Sequence, residues 1–147
     1  MSDNAVYQLM YVSSAAWKLA NDELSAILDI SRANNRRYGV TGLLLYLDGG
    51  FLQVLEGPKD AVTTLFRQIS RDRRHIGVRT LVERHVPERL FAGWSMGFDR
   101  WTKGAPRTAD VFDITRSAIE RAVTAEKAAD LAILLRNFYA VHAGAYA

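Results

Sequence analysis

The sequence predicts an α+β fold of ferredoxin-like topology: a five-stranded mixed sheet with two helices on one face and C-terminal helices covering the other. Three observations predict it. Strand-type and helix-type patterns alternate as β-α-β-β-α-β-β between Ala5 and Phe98. Two β-α-β crossovers of the usual right hand then place both helices on one face. Finally, Leu43, Leu44, Leu45, Tyr46 and Leu47 do not alternate with polar residues, so that strand needs cover on both sides.

Each element has its own signal. Ala5 to Ser13, with Val6, Tyr7, Leu9, Met10, Tyr11 and Val12, has the composition of a first strand. Asn21 offers an N-cap, and Leu24, Ile27, Leu28 and Ser31 follow at i, i+3, i+4, i+7 along one helical face. That helix is expected to end near Asn35, with Gly39 beyond it. Val40 to Leu47 and Phe51 to Glu56 form a hairpin about Asp48-Gly49-Gly50. Gly57-Pro58 opens a second helix, whose Val62, Leu65, Phe66 and Ile69 repeat the helical spacing as far as about Arg74. Val78 to Val86, ended by Pro87, is a fourth strand, and Trp94 to Phe98 a short fifth.

Lys103 to Thr108, containing Gly104 and Pro106, is expected to be a connecting loop. Ala109 to Ala147 is helical in pattern, with Val111, Ile114, Ala118, Ile119 and Ala122 followed by Leu131, Leu134, Leu135 and Phe138. These positions suit a core against the sheet, and an interface stripe as well. Trp101, Phe112 and Tyr139 share that ambiguity. The organisation expected is residues 1–100 as the principal domain and 101–147 as a helical cap packed on the sheet.

Composition narrows the function classes. At 147 residues a single domain can bury a core without staples, and the absence of cysteine excludes a disulfide scaffold, a thiol nucleophile and a cysteine metal site. It also fits a reducing cytoplasm. The polar start at Met1 to Asn4 does not resemble a signal peptide, and no apolar run reaches the roughly 20 residues of a membrane span, so a cytoplasmic chain without membrane contact is expected. The net charge of +3 includes clusters at Arg32, Arg36, Arg37 and Arg71, Arg73, Arg74, which suit solvated helix ends or a phosphate. No metal cluster, phosphate-cradling glycine loop or nucleophile-base pair supports an enzyme. Phe51-Leu52-Gln53-Val54-Leu55 lacks the basic-Gly-aromatic start of an RNA-recognition strand, although the alternative of a nucleic-acid or protein-interaction module shares this fold.

Polar residues in apolar strands mark the candidate site. The first and third strands of this topology are central neighbours, so Tyr11 and Gln53 can sit side by side. A buried hydroxyl or amide without a partner costs about 1–3 kcal/mol, and a structural Tyr-to-Gln hydrogen bond would satisfy both. Asn34 and Asn35 are either turn residues at a helix end or amides facing a heterocycle with carbonyl and imide groups.

Six separated motifs together resemble the BLUF family of flavin photoreceptor domains: Tyr7-Gln8-Leu9-Met10-Tyr11, Asn34-Asn35, Val40-Thr41-Gly42-Leu43-Leu44, Phe51 to Gly57, Arg71 to His75, and Phe91 to Met96. The resemblance implies noncovalent FAD between the two sheet-packed helices, with Ile27 and Ile69 as apolar walls. It implies that Asn35 bonds the carbonyl and imide edge of the flavin, with Asn34 against the ring and Arg74 and His75 toward the ribityl and phosphate part. Tyr11 would be the electron donor, and Gln53 the bridge whose hydrogen bonds rearrange. Trp94 and Met96 would relay that change from the fifth strand. A switch rather than an enzyme is implied, acting through a separate effector protein or self-association, with no nucleic acid and no metal.

Overall fold

The computed structural model describes residues 6–101 and 116–143. The loop expected at Lys103 to Thr108 and the positions Val111, Phe112 and Ile114 lie outside the described residues. Strands β1 (Val6–Ala15), β2 (Thr41–Leu47), β3 (Gly50–Gly57), β4 (His75–Val86) and β5 (Gly97–Trp101) form one sheet in the order β4-β1-β3-β2-β5. All pairings are antiparallel except β2 with β5, so the sheet is mixed as expected. Helices α1 (Asn21–Tyr38) and α2 (Lys59–Ser70) make the two crossovers. They cover one face. Helices α3 (Arg116–Ala122) and α4 (Ala125–Ala143) lie over the other.

The β2–β3 hairpin closes through Asp48 (φ 48°) and Gly49 (φ 87°), a left-handed pair that matches the right-handed twist of its strands. It delivers β3 to the centre of the sheet, where all eight of its residues are buried. Alternation then divides the core. Tyr11, Leu44, Phe51 and Leu55 face α1 and α2. Met10, Leu43, Leu52 and Val54 face α3 and α4, which contribute Ile119, Leu131, Leu135 and Phe138. Those C-terminal residues are therefore core, and Tyr139 is also buried, donating to Asp99 Oδ2 at 2.6 Å. Each fully buried Leu or Phe stabilises the fold by about 1.5–3 kcal/mol.

Several boundaries differ from expectation for identifiable reasons. Asn21 is the first helical residue and Ala20 the cap, with Glu23 Oε1 accepting the Ala20 N–H at 3.1 Å. Helix α1 continues past Asn35 because the left-handed stop is Gly39 (φ 69°). Helix α2 ends four residues before Arg74, where the Asp72 carboxylate captures the Arg74 N–H at 2.9 Å and its guanidinium, making a turn. β4 therefore begins at His75, not Val78. The fifth strand begins at Gly97, not Trp94, because the three preceding carbonyls are bonded outside the ladder. Gly42 N–H donates to Trp94 O at 3.0 Å, Asn35 Nδ2 to Ser95 O, and Arg32 Nε to Met96 O at 3.0 Å.

Candidate functional site

A cleft of about 170 Å³ lies between α1 and α2, with its floor on β1, β2 and β3. Ile27 and Ile69 face it from the two helices, Leu44 and Phe51 from the sheet. Amides from Asn34, Asn35, Gln53 and Gln68 line it, and Asp72, Arg74 and His75 complete it. The structure thus brings together Tyr11 and every residue expected to bind the cofactor. Gln68, Asp72 and Phe51 were not anticipated.

Tyr11 and Gln53 are direct partners in the β1–β3 register. Tyr11 Oη donates to Gln53 Oε1, both side chains being almost fully buried at 1% and 3% exposure. Burial, with the negative Asp72 carboxylate adding to it, pushes the Tyr11 phenol well above its ordinary pKa. The phenol is therefore protonated and is the donor. On its other side, Gln53 Nε2 lies 3.6 Å from Met96 Sδ, a weak acceptor. Met96 is buried in the core on the α1–α2 side of the sheet.

Trp94 is not at the cleft. Its ring stacks on Phe91 with centroids 5.3 Å apart, among the residues of the second face. The two residues expected to share a relay strand thus precede β5 and face opposite sides of the sheet.

His75 is no solvated helix end. Its Nδ1 is 2.9 Å from Ser13 Oγ and its ring packs 4.6 Å from Phe51, while burial lowers its pKa against the attraction of Asp72. The imidazole is neutral at pH 7. Arg74 is held by both oxygens of Asp72, whose carboxyl it keeps below the ordinary value. Ser13 was legible as the residue two beyond Tyr11, hence on the same strand face. Arg32, grouped by sequence with exposed helix-end charges, instead ties α1 to Met96 O.

The lining fits a flat heterocycle with a polar edge and an anionic tail. Two isoleucines supply apolar walls and four amides supply donors and acceptors. Asn35 Nδ2 is used on Ser95 O, which leaves the amide oxygen to accept from an imide N–H.

This fold and lining define a small domain whose cleft between two helices and the sheet suits a heterocyclic cofactor. Residues 6–97 match the BLUF family, "Sensors of blue-light using FAD", and the chain belongs to that family. The cofactor of the family is FAD, and its members are sensors of blue light. Photoactivated adenylate cyclase subunit beta of Euglena longa is 38% identical over 95 residues, 64% of this chain and 11% of that protein. Subunit alpha of Euglena gracilis is 40% identical over 83 residues, 56% of this chain and 8% of that protein. The chain thus spans about a tenth of these relatives. Among solved structures, the dark state of BlrB, a BLUF protein, superposes with a TM-score of 0.63 at 34% identity, covering 66% of this chain and 74% of that one. Klebsiella pneumoniae BlrP1 in a manganese/cy-diGMP complex gives a TM-score of 0.71 at 26% identity over 92% of this chain and 33% of that one. No described helix is long and apolar enough to cross a membrane.

Proposed function

We propose that this chain senses blue light through Tyr11 and Gln53 and signals by a hydrogen-bond change that reaches Met96. The carrying observation is the buried Tyr11–Gln53 hydrogen bond at the floor of a cleft fitted to a flavin. Bound FAD would supply blue-light absorption and an electron acceptor. Ile27 and Ile69 would sandwich its ring, with Asn34, Asn35 and Gln53 on its edge and Arg74 and His75 toward its phosphate part, where charge-assisted bonds are strongest.

Tyr11 is the residue oxidised. Loss of an electron makes the phenol strongly acidic, and its proton leaves along the existing bond to Gln53 Oε1. The amide then turns, which would carry its oxygen to where Nε2 faced Met96 Sδ, or tautomerises in place, which would change which of its two atoms donates. When the electron and proton return to Tyr11, Gln53 keeps the new arrangement. No net charge has moved. Buried polar networks respond strongly to such exchanges because nothing else can satisfy the groups.

We assign residues 1–100 to sensing and 101–147 to output, with a light-controlled effector protein as partner and a homo-oligomer as the working state in the cytoplasm. Regulation of adenylyl cyclases by similar domains supports the effector. The lack of cysteine supports the compartment.

The test is spectroscopic. The FAD-loaded chain should show a reversible red shift under blue light, and Tyr11→Phe and Gln53→Leu should stay yellow and lose it. A normal shift in either variant would remove that residue from the mechanism.

A further inference from the structure

A second polar constellation crosses the sheet on the face away from the cleft. Glu56 is fully buried and accepts the Leu90 N–H at 3.0 and 3.1 Å, the Phe91 N–H at 2.9 Å and Gln8 Nε2 at 3.1 Å. Gln8, in register with Glu56 on one side and Arg84 on the other, accepts Arg84 Nε at 3.1 Å through its oxygen. Arg84 then makes a two-point bond to Asp130 of α4 at 2.6 and 3.0 Å. Leu90 and Phe91 belong to the β4–β5 connection that also carries Trp94 and Met96, and Phe91 O accepts the Trp94 N–H at 3.0 Å. Bonded groups therefore run from Gln53 to α4.

We propose that the Arg84–Asp130 pair is the latch through which the cleft controls α4. This rests on the light-sensing reading above. A change at Gln53 and Met96 shifts the β4–β5 connection; Glu56 and Gln8 pass the shift across the sheet; Arg84 tightens or loosens its hold on Asp130. Two features favour transmission over dissipation. Gln8 has one possible orientation, because Glu56 as a carboxylate only accepts and Arg84 only donates. It cannot absorb a displacement by flipping. In addition, α4 is broken at Ala128 (φ −161°, ψ 76°), two residues before Asp130. The segment beyond the break can shift without disrupting helical bonds before it. The pair is also half open to solvent, at 37% and 50% side-chain exposure, so its hold is weak enough to reverse.

The test is hydrogen exchange of residues 131–143 in the FAD-loaded chain, in the dark and under blue light, with absorbance read on the same sample. In the unaltered chain, light should raise exchange in α4. Arg84→Gln and Asp130→Asn should each raise dark exchange on the order of fivefold, the scale of an exposed ion pair. Both should erase most of the light-dark difference while the absorbance shift persists. Single variants with unaltered α4 exchange in both states, beside a normal absorbance shift, would overturn the latch. A missing shift in the unaltered chain is a different result, which overturns the light-sensing reading and the coupling with it.

Discussion

Two glutamines on opposite faces of one sheet, Gln8 and Gln53, are equally buried at 1% and 3% exposure, yet their neighbours give them opposite freedoms. Gln8 lies between a carboxylate and a guanidinium, each able to play only one hydrogen-bonding part. Gln53 lies between a phenol, which can donate or accept, and a thioether, which barely accepts. Turning Gln8 would break both bonds at once, whereas turning Gln53 gives up only a weak bond to sulfur and leaves the phenol able to accept from the amide. Burial alone therefore does not make an amide a switch or a strut. The donor and acceptor inventory of its partners does.

The largest expected effect is on the strut side. Glu56→Ala leaves two backbone N–H groups and the Gln8 amide without their acceptor in a closed interior, and should lower stability by about 3–5 kcal/mol in urea unfolding. Glu56→Gln keeps one acceptor and should cost less. Next, Gln8→Leu should lower stability by about 1–3 kcal/mol while the light-induced absorbance shift survives. Gln53→Leu leaves the buried Tyr11 hydroxyl without its acceptor and should also cost about 1–3 kcal/mol, but with complete loss of the shift. If the two variants behaved alike in both measurements, the distinction between strut and switch would fail. Met96→Leu conserves volume, so stability should stay within about 1.5 kcal/mol. It removes the acceptor that favours the dark orientation of Gln53, so dark recovery should slow. Recovery faster than in the unaltered chain would give Met96 the opposite role.

The switch side was legible in the sequence and the strut side was not. Tyr11 and Gln53 stand out as polar groups within apolar strands, and topology alone makes β1 and β3 neighbours. The strand order and both helical faces follow from period and crossover hand in the same way. Gln8, Glu56 and Arg84 were invisible because they lie near strand ends, where a charged residue usually meets water. Only the covering of the second face by α4 and the return of Leu90 and Phe91 over Glu56 bury Gln8 and Glu56, while Arg84 stays partly exposed. Trp94 was misplaced for a related reason: aromatic and apolar neighbours suggested a strand, but its carbonyl and the next two are captured by Gly42, Asn35 and Arg32. Side-chain competition for backbone groups leaves no mark on periodicity. Asp72 could not be singled out either, since its hold on Arg74 decides where α2 stops and where β4 starts.

The smallest expected effect concerns pH, and it belongs to the cleft. Folding depresses the pKa of His75 by burial, with Asp72 opposing and Arg74 reinforcing the depression. In the unfolded chain the imidazole takes its proton near its ordinary value of about 6.5. Between that value and the lower folded one, the unfolded state binds more protons, so stability falls as pH drops through about 6.5 and levels off below the folded pKa. The slope from one such group cannot exceed about 1.4 kcal/mol per pH unit. Asp72 works in a separate window: Arg74 lowers its pKa, so its contribution persists above about 3.8 and is lost only as pH falls below that. Urea unfolding from pH 7.5 to 5.5 should therefore show a gentle decline that His75→Phe flattens. An unchanged slope in that variant would assign the titration to another group and leave His75 a packing residue.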